Sequence, residues 1–278
     1  MVKDKYSAVW VSYSSISDYN KCPRLYYLKN IYRNPQNGRK ISLMQPPLAL
    51  GQAVHTVFEE ISVISQAERF TKSLKERFDQ AWQKIAGKRG GFIDLSDEEE
   101  FKKRGLKMMM RAQNHPGPLT EKAIKLRQNL PNYWLSETEG IILCGKIDWI
   151  RYDQSSGGVE VIDFKTGKND EDPDSLQLPI YALLMKNIQT RSLIGFKYWY
   201  LERDDEPVAM QIPNLDYARD IVFDQAKRIL LARKLERFVC SKKSGCNHCW
   251  PYELIISGRA EKVGSDNYNQ DVYIIHNG

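Results

Sequence analysis

No stretch of this 278-residue chain comes near the roughly 18 to 20 consecutive apolar residues that a membrane-spanning helix requires. Residues 1–7 are polar, carry two lysines and lead into no apolar segment, which argues against a secretory signal and for a cytosolic protein. Internal repeats and low-complexity tracts are absent, as is the Gly-x-x-x-x-Gly-Lys-Ser/Thr loop that cradles nucleotide phosphates. Cysteine is scarce: five residues, an odd number without an export signal, argue against a disulfide framework. A strong charge of one sign is missing too. Lys plus Arg is 41 and Asp plus Glu 35, a net +6, short of a domain that coats nucleic acid by charge alone.

What is there suits a folded globular protein. With 42% hydrophobic and 27% charged residues, the chain can bury a substantial core as one large domain or two small ones. The positive charge is clustered. Lys21, Arg24, Lys29, Arg33, Arg39 and Lys40 share residues 21–40 with no acid, and Lys102, Lys103, Arg104, Lys107 and Arg111 crowd a second stretch. Each cluster is either a solvated helix face or a surface for phosphates. Cys240, Cys246 and Cys249 fall within ten residues of one another, which suggests metal.

Ser14 or Ser15 can cap a short helix running from Ile16, and Pro23 suits the first turn of the next, whose Tyr26, Tyr27, Leu28, Ile31 and Tyr32 form an aromatic surface. Val54, Val57, Phe58, Ile61 and Ile64 recur at helical period over 51 to about 66, with His55 near the helix start. Segments 74–85 and 101–113 also read as helices, so residues 56–135 are mostly helical. The pattern then changes. Residues 141–150 read as a strand, 153–158 as a turn and 159–164 as a second strand, together a β-hairpin. A helix over 174–188, an aromatic-rich strand over 194–201, an edge strand over 208–212 and a long helix over 215–238 complete an α/β core. The last twenty residues read as a polar tail with one apolar patch at 272–275.

Asp163 and Lys165 stand two apart near the end of the second hairpin strand, so their side chains share a face, and the pairing can bring Asp148 of the first strand beside Asp163. Hard oxygen ligands of this kind suit Mg²⁺ or Mn²⁺, which bridge to substrate phosphate and lower the pKa of bound water. Lys165 would orient or activate that water and offset charge developing on the phosphate. His55 can complete the ligand set and, as a softer donor, tilts it toward Mn²⁺. An Asp-x-Lys triplet alone is common. Glu137 and Glu139, just upstream, are solvated or approach the metals.

The order of the whole series is more specific. Gly51-Gln-Ala-Val-His55, Gly145-Lys-Ile-Asp148, Val161-Ile-Asp163-Phe-Lys165-Thr-Gly167 and Gln177-Leu-Pro-Ile-Tyr181 resemble the successive motifs of the RecB-like branch of the PD-(D/E)XK nuclease superfamily. Ser12-Tyr-Ser-Ser-Ile, with Tyr19 and Cys22-Pro-Arg24, is similar to that branch's N-terminal signature. The likeness runs from residue 12 to about 252. It implies an α/β PD-(D/E)XK core with a helical lobe, arranged as an N-terminal clasp (1–50), helical lobe (51–135), nuclease core (136–238), cysteine-containing clasp (239–257) and tail (258–278). It further implies His55, Asp148, Asp163 and the Phe164 carbonyl as metal ligands, Lys165 as the catalytic lysine, and Gln177 and Tyr181 lining the site against the substrate backbone. The Pro-Asp of the superfamily name reads Ile147-Asp148 here.

Relatives in this branch, the CRISPR-associated and AddB-type exonucleases, hold a 4Fe-4S cluster on one N-terminal and three C-terminal cysteines. Cys22 resembles the first, and Cys246-Asn-His-Cys249, followed by Tyr252, resembles the C-terminal pair. The third departs: Ile255 stands where it is expected, and Cys240 instead precedes the pair. The resemblance implies 4Fe-4S, with zinc, for which His248 is a spare ligand, and unmetallated cysteines as the alternatives. Cys144 reads as a core residue. Arg24-Leu-Tyr-Tyr and, less favourably, Lys197-Tyr-Trp-Tyr offer stacking platforms for bases, with Arg24 on phosphate. The function implied is a metal-dependent exonuclease on single-stranded DNA ends, in repair, recombination, replication or CRISPR spacer processing, with unwinding supplied by a helicase or other partner. The alternative is a catalytically silent DNA-binding or assembly subunit.

Overall fold

The computed structural model describes residues 4–276; residues 1–3 of the polar start and 277–278 of the C-terminal segment lie outside them. After strand β1 (Val9–Val11), the Ser12 hydroxyl accepts from the Ser15 amide at 3.2 Å while the Ser15 hydroxyl accepts from the Ser12 amide at 2.8 Å. This reciprocal cap starts α1 (Tyr13–Lys21) two to three residues earlier than Ser14 or Ser15 would. Cys22 is extended, and Pro23, which needs no amide partner in a first turn, opens α2 (Pro23–Tyr26), continued by a π-turn over Tyr27–Ile31. Strand β2 (Ile41–Leu43) leads to α3 (Pro46–Ser62), which two prolines start well before Gly51, so His55 lies inside the helix rather than near its start. Helices α4 (Leu74–Gln83) and α5 (Leu95–Asn114) complete the lobe. They touch closely at Gly105, where a Cβ would meet Phe78 Cζ at 2.1 Å.

Helix gives way to sheet sooner than the composition of 56–135 suggests, at β3 (Asn132–Ser136), followed by β4 (Ile141–Cys144). The apolar run 141–150 is two strands, not one. β4 pairs with β1 and β3, whereas β5 (Trp149–Tyr152) pairs with β6 (Val159–Lys165) in another sheet. Gly145 makes the break: a Cβ there would meet Leu184 Cδ1 at 2.9 Å, so the chain passes tightly against the helix that carries Leu184. Apolar residues on both sides of the break hide it from a periodicity reading. Asp148 therefore stands on the link just before β5, not within a hairpin strand.

The chain continues through α6 (Gln177–Ile188), β7 (Leu193–Tyr200), β8 (Val208–Met210) and α7 (Leu215–Lys234) to α8 (Trp250–Ile256), β9 (Glu261–Ser265) and β10 (Asp271–Ile274). The central sheet has the order β5-β6-β7-β8, with β6 and β7 parallel and β8 at the edge as expected. Its two faces feed two cores. Val159 and Val161 pack with α6 and α7, and Ile162 and Phe164 pack with the helical lobe. Phe164 stacks on Phe58 of α3 at 4.0 Å between centroids, and burial of each ring contributes about 1.5–3 kcal/mol. Among the described residues no helix is long and apolar enough to cross a membrane.

The last twenty residues are not a polar tail. β9 and β10 form an antiparallel hairpin, β10 runs parallel to β2, and Val272 and Ile274 are buried. Only β10 carries an apolar alternation; β9 is polar and exposed, which conceals the hairpin in the sequence.

Candidate active site

At the C-terminal end of β6 the side-chain alternation turns Asp163 and Lys165 toward α6. Lys165 Nζ lies 3.0 Å from Asp163 Oδ2. Gln177, in the first turn of α6, joins the two: its Oε1 accepts from Lys165 Nζ at 2.5 Å and its Nε2 donates to Asp163 Oδ1 at 3.0 Å. One turn on, the Tyr181 hydroxyl stands 3.1 Å from both Asp163 Oδ1 and the Lys146 carbonyl. The four-residue spacing on one helix face thus brings both residues to the same carboxylate. From the other side of the sheet, Asp148 Oδ2 accepts from the Phe164 amide at 3.1 Å and faces His55 Nδ1 at 3.3 Å.

Electrostatics follow from burial. Asp163 is 3% exposed; desolvation first, then the Asp148 charge, pushes its pKa up to about 7 against the pull of Lys165 and His55. Burial lowers the His55 pKa, but the charge and hydrogen bond of Asp148 outweigh it and the net shift is upward. Lys165 likewise is pulled down by burial, yet Asp163 and Glu171 raise it overall, so it is held as a cation. Burial and the two aspartates push the Tyr181 hydroxyl well up, keeping it a neutral donor.

Glu171 is the participant that the sequence reading missed. Its Oε2 accepts from Lys165 Nζ at 2.7 Å, and its Oε1 accepts from the Tyr13 hydroxyl at 2.8 Å and the Ser175 hydroxyl at 2.7 Å. Its amide donates to the Tyr200 hydroxyl at 3.1 Å. Glu171 belongs to an acidic, irregular segment between β6 and α6, where no periodicity singles out one acid from the next. Tyr13 did carry a signal, since it lies within the Ser12-Tyr-Ser-Ser-Ile motif. Glu137 and Glu139, by contrast, are exposed in the turn between β3 and β4.

The expected ligands are thus a close pair, His55 and Asp148, with Asp163 turned toward Lys165, Gln177 and Tyr181. Two carboxylates and an imidazole fit a divalent cation by donor chemistry, and the upward shift of Asp163 beside Asp148 is of the kind a cation would relieve. Among the described residues, the grouping of three or more ligating atoms within 4.8 Å of one another is the set Cys22, Cys240, Cys246 and Cys249. Cys246 and Cys249 sulfurs are 3.7 Å apart. Burial raises the Cys246 thiol, but amide donors at Cys249 and His248 outweigh it and take the pKa down to about 6. Burial pushes Cys249 up to about 12. Cys144 is a buried thiol donating to the Val11 carbonyl.

Arg24 is engaged by other groups. Its guanidinium is paired with both Glu253 oxygens, at 2.6 and 3.2 Å, and covers the Tyr27 ring. Tyr26, Tyr198, Trp199 and Tyr200 are buried, so those rings are core rather than free platforms.

The sequence profile of the PD-(D/E)XK nuclease superfamily matches residues 10–252, and the chain belongs to that superfamily. The match takes in β1 through the first turn of α8 and leaves the β9–β10 hairpin outside. No curated protein matches the chain.

Proposed function

We propose that the chain is a cytoplasmic, divalent-metal-dependent deoxyribonuclease of the RecB-like branch, acting as an exonuclease on single-stranded DNA ends beside a helicase or other DNA-processing partner. The observation that carries this reading is the buried Asp163 with Lys165 Nζ 3.0 Å from its carboxylate, at a strand end within the superfamily match. His55, Asp148, Asp163 and the Phe164 carbonyl would hold Mg²⁺ or Mn²⁺. That ion, when bound, lowers the pKa of water and withdraws charge from the phosphate. Lys165 directs the attacking water and offsets the negative charge that builds as one P–O bond forms and another breaks. Gln177, Glu171 and Tyr181 hold Lys165 and Asp163 in register, so little reorganisation accompanies the reaction.

Four cysteines from both ends of the chain form the second half of the reading. Their donor set suits a soft metal centre that clasps the N-terminal segment to the C-terminal one. The resemblance implies 4Fe-4S; the compact spread of the sulfurs favours one tetrahedral zinc, for which a bond of about 2.3 Å gives sulfurs about 3.8 Å apart. Iron, sulfide and zinc content of anaerobically purified protein decides between them.

The test of function is digestion of end-labelled single-stranded, double-stranded and circular DNA with Mg²⁺ or Mn²⁺, using Asp163→Ala as control. Metal-dependent loss of linear single strands, with circles spared and the control inactive, is expected. Cleavage of circles would make the enzyme an endonuclease. Binding without any cleavage would favour a silent DNA-binding subunit.

A further inference from the structure

The groove that contains His55 and Asp148 lies between α3 and the irregular segment 123–131, and Lys125, Lys146 and Gln128 contribute cationic and amide groups to it. Tyr268, at the tip of the β9–β10 hairpin, lines the same groove and is 78% exposed. An exposed aromatic ring at the edge of a groove that carries Lys125 and Lys146 alongside Glu59, His55 and Asp148 stands out in this molecule, whose other aromatic runs are largely buried.

The tip is built to hold that ring out. Asp266 Oδ1 accepts from the amides of Tyr268 at 2.9 Å and Gln270 at 2.8 Å, and the Asp266 amide donates back to the Gln270 carbonyl at 3.0 Å. Asn269 takes the left-handed conformation, φ 60°, that closes the turn. Below it, a register shift between Val272 and Tyr273 bends the hairpin. The turn end is anchored by Asp271, which pairs with Ser265, is fully buried, accepts from Asn37 Nδ2 at 2.6 Å and faces Lys262 at 2.7 Å and Arg39 at 3.6 Å. A fixed stalk and a preformed turn leave little freedom to lose when a flat ligand meets the ring.

On the nuclease reading, we propose that Tyr268 is a nucleobase-stacking residue and that the β9–β10 hairpin forms one wall of the path by which a single strand reaches Asp148. Every base has a π-face, so stacking on one tyrosine tolerates any sequence. Lys125 and Lys146 face the strand's phosphates. Lys146 now pairs with Glu59 at 2.6 Å, but both are about half exposed, and such a pair yields readily to a phosphate. The hairpin lies outside the superfamily match.

The test measures binding of oligothymidylate carrying one 2-aminopurine, with Ca²⁺ in place of Mg²⁺, alongside steady-state cleavage in Mg²⁺. Tyr268→Ala should weaken binding about tenfold or more, abolish the stacking quench of 2-aminopurine and raise KM with kcat near wild type. Tyr268→Phe should retain both affinity and quench, and Tyr217→Ala, an exposed ring on α7, should match wild type. Equal affinity and quench in wild type and Tyr268→Ala, in a protein that cleaves, would overturn this inference and leave the nuclease reading intact. Equal losses in Tyr268→Phe and Tyr268→Ala would overturn stacking. A wild-type protein that neither binds nor cleaves would overturn the nuclease reading and this inference with it.

Discussion

At the end of β6, Asp163, Lys165, Gln177 and Tyr181 come from two elements adjacent in sequence and meet against the main core. Cys22, Cys240, Cys246 and Cys249 come from opposite ends of the chain and meet in a small core of their own, with Leu25, Leu28 and Tyr252. Hydrogen bonds already hold the first centre together, so its members can be altered one at a time while the sheet and α6 keep their packing. In the second, four thiols stand close together, and on the metal reading proposed above the segments that carry them depend on what the thiols hold. The first centre is therefore expected to fail as chemistry and the second as structure.

Lys165→Ala gives the largest expected effect. Loss of a positioned cation in a buried site should lower cleavage by about 10²- to 10³-fold, while the fold is retained and DNA binding stays near wild type. Single-turnover cleavage measured beside calorimetry checks it. Cleavage that survives would move the catalytic role elsewhere, and a fold that collapses would erase the contrast between the centres.

Cys22→Ser should behave in the opposite way. Cys22 is 3% exposed, so the substitution removes one of the four close thiols and leaves a hydroxyl in an apolar cluster. A loss of about 2–4 kcal/mol of stability is expected, together with loss of the metal proposed for the four thiols, checked by denaturant unfolding and elemental analysis. Residual activity per folded molecule should remain close to wild type at low temperature.

The two centres were also legible in the sequence to different degrees. Asp163, Lys165, Gln177 and Tyr181 obey local rules, two apart in a strand and four apart in a helix, and those rules survive without knowledge of the tertiary fold. Asp148 was legible as a residue but not in its placement, because Gly145 breaks an apolar run whose two halves look continuous. Glu171 had no periodicity to mark it; it becomes visible only when the loop folds back on Lys165. The cysteines were legible as a cluster because three of them fall within ten residues of one another. The β9–β10 hairpin was not, since half of it is polar and its partner, β2, lies more than two hundred residues earlier.

The first centre should also declare itself through pH. In metal-free protein, Asp163 has a folded pKa raised to about 7 against 3.8 for the ordinary group. The native state then binds more protons than the unfolded state between those values. Its contribution to stability is fully present below about pH 3.8 and is lost as pH rises through about 7. Asp163→Asn cannot titrate, so the difference in unfolding free energy between wild type and variant in EDTA should slope across that window and flatten above it. A difference independent of pH would remove the raised carboxyl.

Arg24→Ala should have the smallest effect, and it sharpens the comparison most finely because the sequence also offers Arg24 as a phosphate contact. Its bidentate pair with Glu253 ties α2 to α8, on either side of the cysteines, and both side chains are partly exposed, at 33% and 25%. Solvent screening limits such a pair to about 0.5–1 kcal/mol. A residue that braces the clasp should cost that much in unfolding free energy and leave KM unchanged. Glu253→Ala should cost the same, and the double variant should cost little more than either single one, since both remove one shared interaction. If Arg24→Ala instead raises KM while Glu253→Ala does not, the guanidinium serves the strand rather than the clasp, and the basic N-terminal segment belongs with the active site.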